Sequence, residues 1–292
     1  MAAFPSINRQ IPYSMTISSS KKSTTKLARG FTLIELAVVI AIVALLLGAL
    51  LVPLATQYQA RRVKETRDTL EEIKQALIGY AMTQGRLPCP DTDRDGLENA
   101  CGGAGNITDV LEGFIPWQDL AVPATDAWGR IFRYAVTREF TENAIPGAPA
   151  APNQLDLADV PNANISVFTR GDDPATAPPA LETKTQIQLA ANVPAVVLSV
   201  GSNGTGGSLL GGVNLVPFAT GADELVNVNS ITSTWASPPL PARPFIERVH
   251  TPASAGCSDS VEGQPFCEYD DLLVWISAPV LLNRMVEARQ LP

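Results

Sequence analysis

Residues 31–52 read FTLIELAVVIAIVALLLGALLV, 22 positions with a single charge at Glu35. As a helix such a run extends about 33 Å, enough to cross the hydrocarbon core of a bilayer. It is longer than the roughly 7–15 apolar residues of a cleavable secretory signal. The flanking charge sets its orientation. Of the 21 basic residues, Arg9, Lys21, Lys22, Lys26 and Arg29 fall in the first 30 positions, which hold no acid. Basic residues before a span keep that end cytoplasmic, so the rest of the chain is expected outside the inner membrane. A carboxylate inside such a span costs roughly 2.5–3.5 kcal/mol at full depth and calls for a partner. The amides and dipole at a helix N-terminus ease that cost. A plain signal anchor does not explain why an acid should stand there.

The remaining composition narrows the field. All 29 acids lie in the body, against 16 remaining basic residues, within a chain of formal charge -8 and pI ≈ 4.8. An acidic body offers phosphate no cationic face, so no nucleic-acid partner is expected. The single histidine, His250, leaves little scope for zinc or histidine-based catalysis. Ser202 lies outside a Gly-x-Ser-x-Gly elbow, and the glycines of 201–212 lack the Gly-Lys-Ser/Thr of a phosphate loop. No catalytic residue is assigned, and the chain is not expected to be an enzyme.

Lys26-Leu27-Ala28-Arg29-Gly30-Phe31-Thr32-Leu33-Ile34-Glu35 resembles the processing motif of type IV prepilins and type II secretion pseudopilins. The resemblance implies cleavage after Gly30 by a prepilin peptidase and N-methylation of the new N-terminal residue, Phe31. It also implies that Glu35 pairs with the N-terminal amine of a neighbouring subunit during filament assembly. Residues 1–30 would then be the leader, with Met15 as a second candidate start. Expected partners are the peptidase, other pilin or pseudopilin subunits and an inner-membrane assembly platform. Pro53 lies at position 23 of the mature chain, where a proline bends a helix rather than ending it.

Beyond Pro53, Val63, Thr66, Leu70, Ile73, Leu77 and Tyr80 recur at intervals of three and four, with charges between them. This pattern predicts an amphipathic helix to about Thr83, stopped by Gly85 and Pro88. Residues 31–84 are thus expected as one stalk helix, with 31–52 transmembrane. The apolar stripe of its outer half needs a sheet to cover it. Strands are expected over 130–138, 164–169, 195–200 and 271–277. Short helices are expected over 183–191 and 280–290, and a Pro/Ala-rich surface insertion over 145–181. The fold class is α+β and pilin-like, a long N-terminal helix packed on a small antiparallel sheet, with 85–292 as an elaborated head.

A second resemblance lies in the head. Asp126-Ala127-Trp128-Gly129, with Phe132 and Tyr134 following, resembles the Asp-Pro-Trp-Gly motif of major pseudopilins. Ser199-Val200-Gly201-Ser202-Asn203-Gly204 resembles their Ser-x-Gly-x-Asp-Gly loop. Ala127 and Ile131 replace the usual prolines, and 262 residues follow Gly30. That length favours a minor or specialised subunit, while Glu35 argues against a tip subunit lacking the acid.

Four cysteines form two close pairs in sequence, Cys89 with Cys101 and Cys257 with Cys267. Outside the inner membrane they are expected as disulfides, locally paired among three connectivities. Asp91, Asp93, Asp95 and Gly96 match the first half of a calcium loop, but position twelve is Gly102. Glu98, Asn99 or a backbone carbonyl would have to complete it, and the other reading is a solvated acidic turn closed by a Cys89–Cys101 bridge. A further calcium site follows only from the major-pseudopilin resemblance, with Ser199 and Asn203 in the loop and Asp223, Glu224, Asp270 and Asp271 as acids that could reach it. Two other functions fit parts of the pattern. One is a filament-displayed, calcium-dependent adhesin or binding module using 143–180; the other is a membrane-tethered periplasmic enzyme.

Overall fold

The structure is a computed structural model that describes residues 32–101, 109–141, 163–170, 184–212, 221–228 and 243–290, leaving aside the side chains of 47–55. The expected leader, the expected cleavage point at Gly30 and Phe31, and most of the expected 145–181 insertion lie outside these residues. Helix α1 (Leu33–Gln84) matches the expected stalk. The chain divides into two compact units, one to Leu54 and one from Ala55.

In the first unit, Leu33, Ile34 and Leu45 expose 88%, 74% and 74% of their surface. This is an apolar helix surface that no other described residue of its unit covers. Among the described residues no helix is long and apolar enough to cross a membrane. The 31–52 run includes Phe31 and the side chains of 47–52, which lie outside the described residues.

In the second unit the predicted stripe holds. Thr66, Leu70, Ile73 and Leu77 are fully buried, as is Ala81, while Val63 and Tyr80 at the ends of the stripe are half-buried. They pack on a four-stranded sheet of β1 (Val110–Phe114), β2 (Arg133–Thr137), β5 (Ala195–Ser199) and β7 (Leu272–Ile276), in that spatial order and antiparallel throughout. Strand period two sorts the sheet's two faces. Tyr134, Val136, Ala195, Val197 and Ile276 turn to α1, together with Leu281, Leu282 and Met285 of α4 (Ala278–Glu287). Ala135, Val196, Leu198 and Leu273 turn the other way, onto Ile165, Val167, Val193 and Phe245 of a second sheet. The second unit is therefore layered as helix, sheet and sheet.

The second sheet departs from the single antiparallel one expected. Its order is β4-β3-β6, built from β3 (Ile165–Thr169), β4 (Ile187–Val193) and β6 (Arg243–Ile246), and β3 runs parallel to β6. The helix expected over 183–191 is strand β4. Gln188, Leu189, Ala191 and Asn192 of this edge strand are exposed, so no helical stripe has a core to face. Pro194 alone joins β4 to β5 and carries the chain from one sheet to the other; its carbonyl accepts the Thr137 amide. Short α2 (Trp117–Leu120), a 3-10 turn over Arg138–Phe140 and α3 (Ala222–Val228) complete the described elements. Both disulfides pair locally, Cys89–Cys101 and Cys257–Cys267.

Candidate functional sites

At the start of α1, Thr32 and Glu35 satisfy each other. The Glu35 amide donates to Thr32 Oγ1, and the Thr32 amide and hydroxyl both donate to a Glu35 carboxylate oxygen, each at 3.3 Å. Thr-x-x-Glu at a helix start is a capping box, which occupies two otherwise unpaired backbone donors. The same Thr32-x-x-Glu35 spacing lies within the prepilin-like motif, so the two patterns share their residues. Glu35 thus has a partner inside its own chain.

The two head motifs meet. Asp126 is buried beside β2 and accepts the amides of Trp128 and Arg130 at 2.9 and 3.0 Å. Its other oxygen takes the hydroxyl of Ser199, at the end of β5, at 2.7 Å. Burial raises the Asp126 carboxyl above its ordinary range, while these donors pull against that rise. Arg130 crosses to the carbonyls of Gly201 and Ser202, so the Asp-x-Trp-Gly turn and the glycine loop hold one another. Gly201 sits at φ 61 where a Cβ would lie 2.2 Å from the Asp270 carbonyl, so the loop needs glycine there. Replacing Ser199 by alanine leaves one buried oxygen of Asp126 without its donor. A loss of about 2 kcal/mol in urea unfolding is the expected result, because hydrogen bonds to charged groups sit at the strong end of the range.

Asp91, Asp93 and Asp95 come together, with one oxygen of each within 4.8 Å of the others. Asp91 is buried and engaged by the chain on both oxygens: one accepts the amides of Asp93 and Arg94, the other that of Gly96 at 2.8 Å. Neither residue proposed to finish a calcium shell turns to it. Asn99 accepts from Thr92. Glu98 is bound by Arg86, by the Cys89 amide and by the Tyr80 hydroxyl. Burial works against the Glu98 charge, yet Arg86 and those donors hold its pKa below the ordinary value.

A second acidic group forms where the glycine loop, α3 and the start of β7 converge. Glu224, Asp270 and Asp271 are all buried and place one carboxylate oxygen each within 4.8 Å of the others. The Asp270 amide donates to Glu224 at 2.9 Å, and Asn203 Nδ2 donates to both Glu224 oxygens. Ser202 Oγ and the Asn203 amide donate to Asp270, and Asn227 donates to Asp271. Desolvation first, then like charge, pushes Glu224 up to about 7 and Asp271 well above its ordinary value. Of the residues named from the sequence, Asn203, Glu224, Asp270 and Asp271 meet here. Ser199 instead serves Asp126.

Asp223 leaves this group, although it neighbours Glu224 in sequence. Arg248 Nε donates to one of its oxygens at 2.9 Å, and Arg170 Nε lies 2.9 Å from the other as an ion pair without hydrogen-bond geometry. Arg248 also reaches Asp259 at 3.1 Å and the Cys267 carbonyl at 3.0 Å. Asp259 accepts the Cys267 amide, so the loop closed by Cys257–Cys267 is tied into a buried ionic cluster. No spacing rule in the sequence joins these four charges.

Residues 25–51 match the family model described as the prokaryotic N-terminal methylation motif. No curated protein and no solved structure gives a match to the chain. The match covers Lys26, Arg29, Gly30, Phe31, Glu35 and most of the apolar run that follows, and it is the signature of type IV pilins and pseudopilins.

Proposed function

We propose that this chain, which carries the type IV pilin and pseudopilin signature, is a prepilin-like structural subunit of a type II secretion pseudopilus or a type IV pilus. The observation that carries the reading is the motif at 25–51, with a glutamate five positions into the chain that begins at Phe31. A prepilin peptidase cuts after Gly30 and Phe31 becomes N-methylated. The apolar helix holds the subunit in the inner membrane and later packs it in a filament. Glu35 gives up its Thr32 partners for the amine of a neighbouring Phe31, which neutralises both charges in an apolar setting. The head stands in the periplasm and then on the filament, where its size suits a minor or specialised subunit. The reading gives the protein a structural role, not an enzymatic one.

The test is the intact mass of protein recovered from membranes with and without prepilin peptidase. A chain beginning at methylated Phe31, and found only with the peptidase, is the expected result. Glu35→Ala should still be cleaved but should lose incorporation into sheared filaments. An unprocessed chain in both strains, or full incorporation of Glu35→Ala, overturns the proposal.

A further inference from the structure

Strand β7 lies at an edge of the four-stranded sheet, and among the described residues no strand pairs with its outer side. Its sequence, Leu272-Leu273-Val274-Trp275-Ile276, has no charge or proline to discourage a further strand. Two cavities of about 470 and 400 Å³ run beside it and share Glu247, Leu273 and Val274 as lining. The first is walled by Val63 and Leu70 of α1 and by Trp128. The second is walled by Ile78, Trp275 and Val280.

The charges in the first cavity are not equally free. Glu71 already accepts from Lys74 and Gln75, Asp271 accepts from Asn227, and Arg248 is held by Asp223 and Asp259. Glu247 is different. Its amide extends β6 by donating to Phe168, yet among the described residues its half-buried carboxylate has no hydrogen bond or ion pair. Exposed Arg67 and His250 line the same cavity, and Arg67 acts on Glu247 only through space. Two wall atoms are also buried without a partner: the Trp128 indole N–H, a donor, and Asp270 Oδ1, an acceptor. A peptide unit carries one group of each kind.

We propose that the β7 edge takes an extended segment of a partner protein as an added strand, with a lysine or arginine side chain of that segment set against Glu247. Main-chain bonding along an open edge supplies the attachment, and side-chain pockets beside it supply the selection. The first cavity accepts the basic side chain, and the apolar walls of the second accept a neighbouring aliphatic one. The inference uses only the second unit, so its failure leaves the filament reading untouched.

The probe is a labelled six-residue peptide alternating valine and threonine around one central lysine, titrated by fluorescence anisotropy against the full chain in detergent. Saturable binding below about 1 mM is expected, weakened at least about tenfold when glutamate replaces the lysine. Glu247→Gln should weaken the lysine peptide by about tenfold and abolish the preference over glutamate. N-methylation of alternate amides along one edge of the peptide should abolish binding, while methylation along the other edge should be tolerated, as a strand pairs through one edge only. The proposal is overturned by no saturation at about 1 mM, by equal loss from methylation of either edge, or by an unchanged Glu247→Gln. It is also overturned if the peptide acts only by dissociating a self-associated form, because the occupant would then be a second copy of this chain.

Discussion

Arg248→Met should destabilise the second unit by roughly 3–5 kcal/mol, the cost of removing one partner from a buried ion pair. Arg248 is 9% exposed as a residue and its side chain only 2%, and it serves two carboxylates with fully buried side chains, Asp223 and Asp259. Its remaining donors reach Thr251 Oγ1 at 2.8 Å and the Cys267 carbonyl, and its plane lies over the rings of Phe266 and Tyr269. Methionine keeps much of the volume but none of the donors. Asp223 would retain Arg170, whereas Asp259 would retain only backbone donors and carry an uncompensated charge. Burial already pushes the Asp223 carboxyl above its ordinary range, so it can escape by taking up a proton and the deficit should shrink as pH falls toward 4. Arg248→Lys keeps the charge but not the fork, and it should recover part of the loss. Urea unfolding of both variants and the unsubstituted chain at pH 7 and pH 4 is the check. A loss below about 1 kcal/mol at pH 7 would mean that the cluster is not what fastens the Cys257–Cys267 loop.

The parts of this fold that were legible in sequence are those whose cause is local. Leu70, Ile73 and Leu77 announce α1 because a helix repeats its face every three or four residues. Each cysteine pair announces its disulfide because ten or twelve positions separate the partners. Asp126 and Ser199 could be named from motifs, though their 2.7 Å bond spans 73 positions. What stayed hidden is held by distant partners. Strand β1 contains Glu112, a poor strand residue, which makes sense there because Arg243 of β6 pairs with it across 131 positions; β6 itself contains Pro244. A proline in β6 is tolerable because that strand lies at a sheet edge. Asp223 and Glu224 look alike in sequence, yet successive residues of a helix point about 100° apart, so one joins the arginines and the other the carboxylates. The capping box at Thr32 was local and readable, but the processing motif occupies the same residues.

The carboxylate group at Glu224, Asp270 and Asp271 should make the second unit more stable in acid than in base. Glu224 rises from 4.5 to about 7 on folding, because burial and the neighbouring acids disfavour its charge. The folded state therefore holds that proton more tightly than the unfolded chain. The resulting stabilisation is complete below about pH 4.5 and is lost as pH climbs through about 7. A shift of that size corresponds to about 3 kcal/mol, and the Asp271 shift acts in the same direction. Glu98, whose pKa is lowered, acts oppositely, but its side chain is a quarter exposed and its effect is confined to more acidic pH. Between pH 5 and pH 8, in chelator, the thermal midpoint should fall by roughly 6–12 °C for a unit of this size. Glu224→Gln keeps an oxygen for the Asp270 amide and turns a neutral NH2 toward acids that had repelled a carboxylate. It should flatten most of that slope and raise the midpoint at pH 8. Retention of the full slope in Glu224→Gln would move the proton to Asp271, and Asp271→Asn would then have to remove it.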